Sequence, residues 1–91
     1  MTKDQRNNVA EYATQLSDDE LRWLGLRLTE RLGGDLGEAV EFLSKNEKID
    51  AYLKTTNTAD ELFEATERIR EVVTKECKKR GLPLKWGPIG Q

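Results

Sequence analysis

The chain has 91 residues, 36% of them hydrophobic and 35% charged, with 17 acidic and 15 basic side chains, a net charge of −2, one cysteine and no histidine. A single domain of this size buries a modest core without help from a metal or disulfides. Without an imidazole there is no Ser-His or Cys-His nucleophile arrangement, and one cysteine cannot form an internal disulfide.

The composition is rich in helix formers and poor in the β-branched and aromatic runs that mark strands. A recurring start signal adds to this. Four of the ten Ser and Thr residues stand three positions before Glu or Gln: Thr2 before Gln5, Ser17 before Glu20, Ser44 before Glu47 and Thr58 before Glu61. That is the spacing of a reciprocal helix cap.

In chain order, the first predicted helix covers 3–16, with Val9, Tyr12, Ala13 and Leu16 on one face. The second covers 18–32. Ser17 caps it, Asp18, Asp19 and Glu20 suit the positive end of its dipole, and Gly33 and Gly34 stop it. Asp35 is expected to cap a third helix over 36–43; Ser44 either opens a fourth over 45–54, the favoured reading, or sits inside one continuous helix over 36–54. After a polar turn, Thr58 starts the longest helix, 59–80. Its apolar face carries Leu62, Ala65, Ile69, Val72, Val73 and Cys77. The pairs Glu64/Arg68, Glu71/Lys75 and Glu76/Arg80 stand four apart in the favourable order. Gly81 suits a left-handed cap. The expected architecture is all-α, a compact bundle of four to five helices forming one domain over 1–81. An extended tail containing both prolines follows over 82–91.

Little in this inventory points to catalysis or to a cofactor. Zinc sites need clustered Cys or His, di-iron bundles need Glu-x-x-His, and no calcium-loop pattern occurs. Glu38 and Glu41 have the spacing of a solvated helix face, and the glycines at 33, 34 and 37 lack the Lys-Ser/Thr ending of a phosphate loop. Cys77 lies on an apolar face, where a thiol behaves as a small hydrophobe. No leader pattern or membrane-length apolar run is present, so a cytoplasmic, non-enzymatic protein without cofactors is expected.

Binding is the expected mode of action, with a protein partner or a second copy of the chain. Two apolar features stand out. On the second helix Trp23 and Leu26 fall opposite the main face of Leu21, Leu24, Leu28 and Leu32. The helix is therefore either packed on both sides or exposes a partner surface. In the tail, Leu82, Leu84, Trp86 and Ile89 either cover the end of the bundle or form a linear ligand, so Leu84, Trp86 and Ile89 join Trp23 and Leu26 as candidate partner-binding residues.

Nucleic acid is the alternative partner. Residues 1–61 carry 13 acidic and 8 basic side chains, whereas 62–91 carry 4 and 7. Lys78, Lys79, Arg80, Lys85 and Trp86 would combine charge with a stacking ring, although basic residues at a helix end also complement its dipole. Residues 38–54 have a helix-turn-helix rhythm, but Glu47 and Asp50 would face phosphates and the turn has no glycine.

Overall fold

The computed structural model describes residues 1–31 and 33–84. The described residues form five helices: α1 (Lys3–Gln15), α2 (Asp18–Glu30), α3 (Asp35–Leu43), α4 (Glu47–Leu53) and α5 (Ala59–Arg80). Among the described residues there is no strand. The fold is the all-α bundle expected.

Helix starts follow the hydroxyl signals, with instructive exceptions. The Thr2 hydroxyl accepts from Gln5 N at 3.1 Å while Gln5 Oε1 accepts from Thr2 N at 2.8 Å, and Ser17 and Glu20 make the same exchange at 3.1 and 3.0 Å. These exchanges satisfy amides that the first turn leaves without helical partners. Thr58 caps α5 through Glu61 N at 3.1 Å, but the Glu61 carboxylate reaches back one residue further, to Asn57 N at 2.7 Å.

The Ser44 pattern does not form a cap. Ser44 keeps α-helical dihedrals at the end of α3 (φ −67°, ψ −12°), whereas an N-cap needs extended backbone. Asn46 supplies that conformation and caps α4, its Oδ1 accepting from Lys48 N at 3.0 Å and Ile49 N at 3.1 Å. Asp35 likewise lies inside the first turn of α3. Gly34 is the N-cap there and offers no side chain.

At the other ends, Gly81 (φ 73°) closes α5. Its N–H donates to Lys78 O at 3.1 Å and the N–H of Leu82 to Cys77 O at 2.9 Å, which satisfies carbonyls of the last turn. The second helix ends earlier than expected, at Glu30. Arg31 adopts the left-handed conformation (φ 55°), uncommon for a residue with a side chain. Side-chain contacts hold it there: its guanidinium sits 4.5 Å over the Phe63 ring and pairs with Glu67.

The two longest apolar faces meet where α2 packs on α5. Leu21, Leu24 and Leu28 from α2 join Ala65, Ile69, Val73 and Cys77 from α5, all buried. On its other side α2 contacts α3, while α1 bridges α5 and α4. The second helix is thus central and packed on both sides. Val9, Tyr12 and Ala13 bring α1 into the same core, and Ile49, Tyr52 and Leu53 bring in α4. Full burial of each large aliphatic side chain contributes roughly 1.5–3 kcal/mol.

One side chain ties three helices together. Arg80 Nη1 donates to Leu16 O at 2.9 Å and to Asp18 Oδ1 at 3.0 Å. Its Nη2 donates to Ala13 O at 3.2 Å and Thr14 O at 3.1 Å, and its Nε to Glu76 at 2.9 Å. Carbonyls at the end of α1 run short of helical donors, Ala13 O keeping a long 3.4 Å bond from Leu16 N, so a forked cation supplies the rest. Replacing Arg80 with Ala is expected to lower the midpoint of thermal unfolding, and Arg80→Lys to restore little of it. A single ammonium cannot reach carbonyls on two sides at once. Parallel calorimetry of the two variants checks this.

Tyr12 gives a second expectation. Burial first, and the Glu20 carboxylate second, push its phenol up to about 12 from an ordinary 10.0. A group whose folded-state pKa is raised contributes stability that is complete below its unfolded pKa and lost as pH rises through the folded one. The chain is therefore expected to lose stability between about pH 10 and 12. Tyr12→Phe should flatten that decline in denaturant titrations across the window.

Candidate functional site

Trp23 is half-buried on the α3 side of α2. Its ring centroid lies 5.2 Å from that of Phe42, tilted by 48°, and the Arg27 guanidinium carbon stands 4.0 Å from the centroid. Arg27 also bonds Glu38 at 2.8 Å, which ties this corner of α2 to α3. Leu26 corrects the sequence expectation: it is 1% exposed and belongs to the interior, because α2 is covered on both sides.

Leu84 lies against α2 on the α5 side. A Cβ built on Gly25 would stand 2.9 Å from Leu84 Cδ2, 3.5 Å from Cys77 Sγ and 3.6 Å from Val73 Cγ1, so the missing side chain is what admits Leu84. Arg22 Nε fastens the same stretch by donating to Pro83 O at 3.0 Å. Leu82 and Leu84 both pack on the core. Trp23 and Leu84 thus occupy different sides of α2 and form no joint surface. Lys85, Trp86 and Ile89 lie outside the described residues.

Beside this seam Cys77 is fully buried, its Sγ 3.7 Å from Leu21 O. Burial pushes its thiol up, against the opposing pull of Arg80. Among the described residues no group of three or more His, Cys, Asp or Glu could hold a metal ion, and no helix is long and apolar enough to cross a membrane.

The basic end of α5 divides into two parts. Arg80 points inward and is consumed by the bonds described above, so it leaves the expected cationic set. Lys75, Lys78 and Lys79 are exposed and form no ion pair with other described residues, Glu71 included.

Between α1 and α5 these lysines rim a groove of about 570 Å³. Ala10, Ala13 and Thr14 line it from α1, and Val72 and Glu76 from α5. Across the Lys75–Lys78 ridge lies a second depression of about 550 Å³, bordered by Thr74, Leu82 and Leu84. The lining's two other polar groups are engaged: Glu76 bonds Arg80, and the Thr14 hydroxyl donates to Glu11 O at 2.6 Å.

The sequence held a faint sign of this groove. Ala10 and Ala13 stand about one helical turn apart, and so does Lys75 from each of Lys78 and Lys79. Nothing in the spacing says that α1 and α5 are neighbours.

No family model matches the chain, and no curated protein or solved structure matches it.

Gly25 offers a test of how the 82–84 stretch is held. Gly25→Ala gains about 1 kcal/mol of helix propensity but must displace the end of the Leu84 side chain. The fold is expected to keep its melting temperature while cleavage near Leu84 in limited proteolysis accelerates. Unchanged cleavage would mean that Leu84 accommodates the methyl in place.

Proposed function

We propose that this protein is a small non-catalytic interaction module, an adaptor, accessory subunit or regulator, that binds another protein through the lysine-rimmed groove between α1 and α5. The observation that carries this reading is the pairing of an apolar floor with lysines that no described residue neutralises. Buried apolar anchors inside a charged rim are the usual anatomy of a specific protein interface. The groove's carboxylate and hydroxyl already have partners, so its chemistry favours holding a ligand over transforming one.

Protein is favoured over nucleic acid on two counts. Arg80 is turned into the helix junction, and among the described residues no aromatic ring lines the groove to stack on a base. Among the described residues, Lys78 and Lys79 are what remain of the cationic cluster proposed for that role.

The test is capture from lysate of the source cell with the full chain, nuclease-treated and untreated. Wild type is compared with Lys75→Glu/Lys78→Glu/Lys79→Glu and with Trp23→Ala, after circular dichroism has shown that each is folded. Wild type and Trp23→Ala are expected to retain the same one or two proteins after nuclease, and the triple variant to lose them. Loss with Trp23→Ala alone would move the surface to α2 and α3. Release by nuclease would favour nucleic acid.

A further inference from the structure

We infer that the occupant of the α1–α5 groove is an acidic amphipathic helix of the partner protein; the inference rests on the interaction-module reading above. Four observations select this chemistry.

The first is backbone supply. Both walls of the groove are helices. Their interior N–H and C=O groups are already paired, so an extended peptide would find no backbone partners there and would bury its own unsatisfied. A helix brings its backbone bonds with it.

The second is shape. Ala10 and Ala13 on the α1 side project no further than a methyl group, so another helix can approach closely. Along α5 the lining runs from Val72 to Lys79. At 1.5 Å per residue that is about 10 Å, or two turns. An incoming helix with apolar residues at i, i+4 and i+7 covers the same length.

The third is charge. Lys75, Lys78 and Lys79 face the groove, and its single lining acid, Glu76, bonds Arg80 at 2.9 Å. The negative end of the α5 dipole offsets about half a charge, which leaves the rim clearly positive. An acidic flank on the ligand is the complement.

The fourth concerns a second copy of this chain. Among the described residues most apolar side chains of its helices pack in or against its own core, and the acidic start of α2 is engaged, Asp18 with Arg80 and Glu20 with Ser17. Among the described residues of a folded second copy, Phe63 at 43% is the large apolar side chain left exposed, too little to supply anchors at i, i+4 and i+7, so the occupant is a different protein.

The probe is a fluorescein-labelled 18-residue synthetic helix with Leu at i, i+4 and i+7 and Glu along both flanks. It is compared with a version carrying Lys in place of Glu and with a scramble of the same composition. Binding to the full chain is read by fluorescence anisotropy and located by amide chemical shifts. The acidic helix is expected to bind, shifting the amides of Ala10, Ala13 and Val72. The basic helix and the scramble are expected to bind at least about tenfold more weakly, the scale of several exposed charge pairs acting together.

Lys75→Glu/Lys78→Glu/Lys79→Glu should invert the preference, so that the basic helix binds and the acidic one does not. That inversion also shows the variant is folded. Ala10→Trp, a change at an exposed position, should fill the groove and weaken the acidic helix without changing the charge.

Equal binding of acidic and basic helices, shifts confined to the Trp23 and Phe42 face, or no binding of the acidic helix would each overturn the inference. So would tighter binding of a single-stranded oligonucleotide in place of the helix. If the acidic helix fails while lysate capture still depends on the three lysines, the occupant is wrong and the groove stands. If capture is also indifferent to them, the interaction-module reading of this groove falls with it.

Discussion

The fold turns on the Arg80 guanidinium. Three carbonyls at the end of α1 and carboxylates from α2 and α5 converge on it. Helix ends that meet in a small bundle bring carbonyls short of helical donors close together, and any left buried without a donor is destabilising. Arg80 answers this with one planar fork, which joins the end of α1 to the last turn of α5 beside the groove. The rim follows from the phase of α5, whose buried face of Ile69, Val73 and Cys77 leaves Lys75, Lys78 and Lys79 exposed.

Much of the architecture was legible in the sequence, and local chemistry explains which parts. The longest helix was placed residue for residue because Thr58 and Gly81 each act within one turn of their own position. The first two helices began where Thr2 and Ser17 predicted for the same reason. Ser44 failed because a pattern of residue types does not specify the backbone on which it must be read. A hydroxyl at the C-terminal end of one helix looks, as a string, like a hydroxyl at the start of the next. Asp35 failed similarly, one residue inside the helix it was expected to cap.

What sequence could not supply was the set of neighbours. The face of Leu26 depends on whether anything lies against the second side of α2, which periodicity along α2 alone does not contain. Arg80 looked like one more cation at a helix end; its partners are more than sixty positions away in the chain. The groove is of the same kind. Ala10 and Val72 are unremarkable until packing sets them side by side. Cationic and apolar residues thus sorted into structural and exposed groups by tertiary placement, with Arg80 taken into the scaffold and Lys75, Lys78 and Lys79 left at the surface.

The burial of Cys77 has a consequence for motion. Its sulfur sits at the seam of α2 and α5, under Leu21 and beside Gly25. A reagent in solvent cannot reach it while those helices are together, and local opening in native proteins has its own free energy, separate from global unfolding. The chain therefore carries a built-in sentinel. The rate at which this one thiol becomes alkylated measures how often the central seam of the bundle parts, with no label to be introduced and no second cysteine to confuse the count.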